Sequence, residues 1–307
     1  MRTFMREKKI YCGENYREVD IFPYSTGQKA ASRRGKRSKK KNETPPKQRN
    51  LNDKNARRYL VQLGELNFGS DPEALHVTLT YSEANLPPTV EAAEKEITNF
   101  LRRVRYRREE EKLPPLKYIL VTSYSTGEGG EKPTRIHHHV LMNGGLDRNV
   151  IEDLWRKRKR KGQKQGDRIG FCNADRVQPN ENGITALCNY LFKQPGGGGS
   201  GEDPGGESPE QKPEGKGKKR GGGKRRGRPA GKKRWSCSKN LKRPQSRTND
   251  GKFTRRQVEG WGKNHPPREF WEKKYPGWTL TDPYNGVTYE YNETTGWSVY
   301  LKLRKKE

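Results

Sequence analysis

Apolar residues are the scarce component of this chain: hydrophobic side chains make up 28% of its 307 residues, against 34% charged. So small a share cannot fill one continuous core along the whole length, and packed segments must alternate with polar ones that remain unpacked. No stretch approaches the roughly 18 consecutive apolar residues of a bilayer-spanning helix. The opening Met1-Arg2-Thr3-Phe4-Met5-Arg6 carries charge where a secretory leader would be apolar. A soluble chain of the bacterial cytoplasm or nucleoid, with no membrane partner, is expected. Cysteine is sparse too. Cys12, Cys172, Cys188 and Cys237 form no CxxC pair, which argues against a zinc finger or a disulfide framework and leaves them as small buried side chains. Acidic residues are outnumbered, 37 against 66 Lys and Arg, for a net charge of +29. A surplus of that size points away from small neutral substrates and toward a polyanion.

Composition shifts divide the chain. Residues 1–50 read as a basic extension, with a short aromatic start and the run Arg33-Arg34-Gly35-Lys36-Arg37-Ser38-Lys39-Lys40-Lys41. Residues 51–195 read as a folded domain, continued by 233–247. Residues 196–232 form a Gly/Pro/charge linker without apolar periodicity, and 248–307 a small aromatic-rich unit. Within the folded part, 55–67 is a predicted helix, 75–81 a strand and 89–108 a helix. The last has Ile97, Phe100, Leu101 and Val104 as its buried stripe and Arg102, Arg103, Arg105 and Arg107 on the opposite face. Residues 118–124 make a strand that a glycine-bearing loop joins to the next, an antiparallel hairpin. Asp147 is placed to cap a helix holding Val150, Ile151, Leu154 and Trp155, and a strand at 168–177 follows. The fold class expected is α/β (α+β), a central antiparallel sheet with packed helices.

Histidine is rare, yet three of the 5 histidines fall in Arg135-Ile136-His137-His138-His139-Val140-Leu141-Met142. In a strand, side chains alternate faces, so His137 and His139 project together and His138 points the other way. Two neutral imidazoles side by side form half of a metal site; an exposed polar run is the competing reading. A predicted helix at 182–194 follows, ended by Pro195 and the glycines after it. Its apolar face holds Ile184, Leu187, Cys188, Leu191 and Phe192. At about 100° per residue, Tyr190 falls on the flank of that face and Lys193 one turn further on. They are either a phenol and an ammonium poised for chemistry, or an interface tyrosine beside a snorkelling lysine.

The order of these pieces resembles the HUH endonucleases: a strand ending in polar residues, a His-hydrophobe-His strand, then a helix bearing Tyr-x-x-Lys. In particular it is similar to the single-tyrosine rolling-circle replication initiators of plasmids, phages and Gram-positive mobile elements. Phe171-Cys172-Asn173-Ala174-Asp175-Arg176-Val177-Gln178-Pro179, Leu187-Cys188-Asn189-Tyr190-Leu191-Phe192-Lys193-Gln194-Pro195 and Trp235-Ser236-Cys237-Ser238-Lys239-Asn240-Leu241 carry the likeness. The resemblance implies an RRM-like palm, with His137 and His139 holding Mg2+ or Mn2+ and Tyr190 as nucleophile, aided by Lys193. It further implies a 5′-phosphotyrosine intermediate and a free 3′-hydroxyl that primes replication. Such proteins offer a glutamate on the preceding strand as third metal ligand, and here that position is Ser123. Glu128, Gln178 or solvent is left to take the role.

The implied partners are single-stranded and duplex origin DNA, with a host or element helicase as a further one. Expected DNA contacts are Arg176 and the linker residues Lys224, Arg225, Arg226 and Arg228. Lys224-Arg225-Arg226-Gly227-Arg228-Pro229 resembles an AT-hook, and generic phosphate attraction is the other reading. Two alternatives stand beside nicking: a non-catalytic origin-binding regulator, and a relaxase or transposase with the same chemistry. Tyr124 is the alternative nucleophile. In the terminal unit, helices are predicted at 254–261 and 267–274. A hairpin is predicted across 287–303, with Trp278, Tyr289, Tyr291 and Trp297 as its core.

Overall fold

The computed structural model describes residues 2–31, 46–126, 133–193, 235–281 and 286–306. In chain order its elements are β1 (Thr3–Tyr11), β2 (Tyr16–Ser25), α1 (Thr26–Ala31), α2 (Pro46–Phe68), β3 (Leu75–Thr80), α3 (Val90–Glu110), β4 (Tyr118–Thr126), β5 (Pro133–Met142), α4 (Arg148–Asp153), β6 (Cys172–Arg176), α5 (Thr185–Lys193), β7 (Ser236–Cys237), β8 (Gln245–Asp250), α6 (Arg255–Asn264), α7 (Arg268–Lys274), β9 (Trp278–Leu280), β10 (Val287–Asn292) and β11 (Gly296–Lys305). This is a mixed α+β fold with two antiparallel sheets, in keeping with the expected class. No helix among the described residues is long and apolar enough to cross a membrane.

The first sheet runs β6-β3-β5-β4-β7, every neighbour antiparallel, so the histidine strand β5 is central. Alternation gives it two apolar faces. Leu75, Val77, Leu79, Val140 and Met142 pack against the α3 stripe Ile97, Phe100, Leu101 and Val104, with Trp155 completing that layer. On the opposite face Ile119, Val121 and Leu141 meet Leu60, Val61 and Leu63 of α2 and Ile184, Cys188 and Leu191 of α5. The helix starts follow from capping. Thr89 accepts from Ala92 N at the head of α3 and Asp147 from Asn149 N at the head of α4, each satisfying an otherwise orphaned donor. Helix α4 is shorter than predicted. Trp155 leaves the helical path to donate its indole N–H to Thr80 O at 2.8 Å. The strand expected from 168 begins only at Cys172, because the residues before it close a separate ribbon.

The second sheet, β10-β11-β2-β1-β8 with β9 also on β11, joins the two ends of the chain. No strand is predicted in residues 1–25, yet β1 and β2 lie at its middle. Val19 and Ile21 pack with Val299, Leu301, Leu303, Trp261 and Trp271 beneath α6 and α7. The alternate residues Glu18 and Asp20 are buried on the other face, where Arg58 of α2 binds both, at 2.5 and 2.6 Å. Those buried carboxylates hide the strand's apolar rhythm. The terminal helices and hairpin form as predicted, with one correction: Tyr291 is 61% exposed and is not part of the core, while Trp278, Tyr289 and Trp297 pack against it. Tyr291 sits next to the hairpin turn, where the strand pair runs out into solvent.

Candidate active site

Register across β5 lays out the site. His137 stands opposite Thr80 of β3 and Ser123 of β4, and His139 opposite Thr78 and Val121. Residues paired across an antiparallel ladder share a face, so these side chains all project toward α2 and α5. His138 points to the α3 side and is fully buried. Its Nε2 lies 2.8 Å from Tyr81 Oη and its Nδ1 2.9 Å from Thr122 Oγ1, with Trp155 edge-on beyond. Both nitrogens are engaged, which makes it a core histidine; burial pulls its pKa down to about 3.

His139 is 3% exposed. Its Nδ1 lies 3.2 Å from His76 Nε2 and 3.3 Å from Thr78 Oγ1, while its Nε2 is buried without a hydrogen-bond partner. With the proton on Nδ1 shared with those neighbours, the lone pair falls on Nε2 and faces the site. Burial, reinforced by His76 and His137, lowers its pKa to about 3 and keeps it neutral, the form that binds a cation. His76 belongs to the same face and escaped the sequence reading. Its signal was the alternation His76-x-Thr78-x-Thr80 on the strand beside the histidine run. Burial lowers the His76 pKa and the nearby charge of Asp175 opposes that shift.

Tyr190 comes to this face from above. Its ring meets His139 edge-on with centroids 5.8 Å apart, His137 meets His139 edge-on at 5.1 Å, and 51% of Tyr190 is open to solvent. The helix that carries it is held at its start and along its back. Glu65 of α2 accepts from Ile184 N at 3.0 Å, from Thr185 Oγ1 at 2.9 Å and from the Arg304 guanidinium at 2.5 Å. Arg304 also donates to Asn182 O at 2.6 Å. Gly183 has φ of 65° there, and a Cβ on it would lie 1.9 Å from Arg304, so only glycine fits. Further along, Gly64 lets α2 approach α5 closely, since a Cβ would stand 2.5 Å from Cys188 Sγ. Arg57 donates to Asn189 Oδ1 at 2.9 Å. The placement of Tyr190 thus depends on a buried ion pair reaching from β11. Glu65→Ala would strand the Arg304 charge and free the helix start, and is expected to cost about 3–5 kcal/mol in urea denaturation. Lys263→Ala, which breaks an exposed pair with Glu259, should cost at most about 0.5 kcal/mol.

The other predicted site residues fall as follows. Lys193 is the last residue of α5, and its side chain lies outside the described structure. Tyr124 is buried against Ala93 and Ile136 on the α3 side, away from the histidine pair. Arg176 ends β6 opposite Leu75, at the far end of the sheet, with its side chain 61% exposed and 4.0 Å from Glu73. Gln178 lies beyond that same end, where Val177 N bonds Ala74 O. Glu128, Lys224, Arg225, Arg226 and Arg228 lie outside the described residues. Ser123 is fully buried beside His137 with its hydroxyl unpaired. Among the described residues no cluster of three or more His, Cys, Asp or Glu side chains is spaced to hold a metal ion. Toward a cation this face offers two imidazoles, one with an orphaned buried nitrogen, and the Ser123 hydroxyl.

Fold and site together define an α+β domain with a tyrosine helix laid over a histidine-bearing sheet. Residues 74–195, from the start of β3 to just past α5, match the family model of the replication-associated protein ORF2, a likeness that supports a replication initiator. No curated protein and no solved structure matches the chain.

Proposed function

We propose that this chain initiates rolling-circle replication of a mobile element by nicking single-stranded DNA, with Tyr190 as the nucleophile of an HUH-type site. The observation that carries this reading is the meeting of Tyr190 and His139 on the face shared with His137, inside the stretch similar to replication-associated proteins. In the reaction, Tyr190 Oη attacks the scissile phosphorus in line. The Oη–P bond forms as the P–O3′ bond breaks. The phenolic proton passes to solvent and the departing 3′ oxygen takes one up, so the number of P–O bonds is unchanged and no oxidant or nucleoside triphosphate is consumed. Attack by a 3′-hydroxyl on the phosphotyrosine reverses the step and rejoins the strand.

His137 and His139 would hold a divalent cation, Mg2+ or Mn2+, with Glu128 the candidate third ligand. Such an ion supplies neutralisation and polarisation of the scissile phosphate. His76 and Thr78 fix the ring and tautomer of His139, the Glu65–Arg304 clamp sets the height of Tyr190 above it, and Lys193 favours the phenolate. His76→Ala is therefore expected to weaken Mn2+ affinity and cleavage about 10- to 100-fold, read by metal titration and single-turnover rate. Unchanged metal affinity would remove His76 from this role.

One observation favours a second reading, a non-catalytic origin-binding protein: Ser123 stands where a carboxylate is expected, and no three-ligand cluster occurs among the described residues. The two readings separate in one assay. Purified protein is incubated in Mg2+ or Mn2+ with labelled single-stranded oligonucleotides tiled across the DNA that carries its coding sequence. Nicking predicts a denaturant-stable protein–DNA band and a shortened 3′-hydroxyl product; binding alone predicts neither.

A further inference from the structure

We infer that the exposed ring of Phe171, together with the cationic ribbon 156–168 that leads into it, forms the track along which a single DNA strand enters the tyrosine site. The inference rests on the reading of DNA as substrate and names the surface that holds it. Thr80 N donates to Phe171 O at 2.9 Å, extending the β6–β3 ladder by one residue beyond Cys172. Alternation then puts Phe171 on the face opposite to the buried Cys172, the face of Thr80 and His137. Phe171, Thr80, His137 and Ser123 make one row across four strands, and two strand spacings of about 4.8 Å put Phe171 about 10 Å from His137. Its ring is 67% exposed, although Ile169 before it and Cys172 after it are buried. The platform beneath is firm: a Cβ on Gly170 would lie 2.2 Å from Thr80 O.

The ribbon is closed by backbone contacts. Arg156 bridges Arg168, Lys157 N donates to Asp167 O at 2.8 Å, and Gln163 N donates to Arg160 O at 3.1 Å at the tip. Gly166 packs so near Lys157 O that a Cβ there would come within 1.8 Å. Arg156 and Arg168 pair with Asp153 at the base. Lys157, Arg158, Lys159, Arg160, Lys161 and Lys164 are exposed, and none has an ion-pair partner among the described residues. A cationic rail beside an aromatic face suits a single strand, whose phosphates follow the charge while an unpaired base stacks on the ring. In a duplex, bases present edges rather than faces, and the ring has nothing to stack on.

The test is equilibrium binding of a fluorescein-labelled thymidine 20-mer to the full chain by anisotropy, in EDTA so that no cleavage enters the readout. Phe171→Ala is expected to weaken binding about tenfold with the salt dependence unchanged, and Phe171→Trp to bind at least as well as the parent. Changing residues 157–161 to glutamine should flatten the slope of log affinity against log salt, by about 0.7 for each phosphate no longer neutralised. Both Phe171→Ala and the glutamine variant should affect a 20-base-pair duplex less than the single strand. The inference is overturned if Phe171→Ala binds within twofold of the parent, if Phe171→Trp is as weak as Phe171→Ala, if the glutamine variant keeps the parent slope, or if duplex affinity falls as far as single-strand affinity. A chain that binds in the expected way yet forms no covalent adduct contradicts the nuclease reading and leaves the surface standing.

Discussion

Tyr190→Phe is expected to abolish covalent adduct formation while leaving affinity for single-stranded DNA within about twofold, or about 0.4 kcal/mol. The substitution removes one oxygen from a half-exposed ring and leaves the edge-on contact with His139 and the apolar face of α5 in place. Neither fold nor DNA surface has reason to change. The bond to phosphorus, by contrast, has no other phenol on this face to take it up, since Tyr124 lies buried on the opposite side. Adduct yield on a denaturing gel and anisotropy on the same preparation separate the two effects. Parent-level adduct in the variant would move the nucleophile elsewhere.

The second large effect concerns the histidine run, whose members should fail in different ways. His137→Ala and His139→Ala each remove an imidazole from the Tyr190 face, and each is expected to lower the cleavage rate by about two to three powers of ten, the several kcal/mol that a bound cation contributes to phosphoryl chemistry. His138→Ala removes a fully buried ring packed by Tyr81, Thr122 and Trp155. The resulting cavity and the missing acceptor for Tyr81 should cost about 3–5 kcal/mol of stability, visible as a lower urea midpoint. Cleavage by the molecules that remain folded should be preserved. Equal catalytic loss in all three folded variants would contradict the alternation on which the site rests.

Much of this arrangement was legible because its signals are local. The alternation of the histidine run, the apolar spacing of α3, the Asp147 cap and the terminal hairpin each lie within about a dozen residues, and each occurs where predicted. What escaped the sequence depends on distant partners or on buried charge. Strands β1 and β2 were missed because Glu18 and Asp20 interrupt their apolar pattern and become intelligible only opposite Arg58. Glu65 and Arg304 are 239 residues apart, and neither side chain by itself predicts that it helps to hold the start of the tyrosine helix. His76 sits alone in an apolar strand, and only the β3–β5 register brings it to His139. The ribbon at 156–168 reads as one more charged run until its backbone closure and the exposed Phe171 beside it are seen.

The central claim, that Tyr190 is the residue that takes the DNA strand, is tested most directly by mapping the adduct. The protein is reacted in Mn2+ with the tiled single-stranded oligonucleotides, the attached strand is trimmed with nuclease, and the digested protein is examined by mass spectrometry. The account predicts a 5′-phosphonucleotide on the peptide containing Tyr190, with fragment ions placing it on that residue. The modification on any other side chain, or an unmodified Tyr190 peptide from protein that has nicked its substrate, would contradict it.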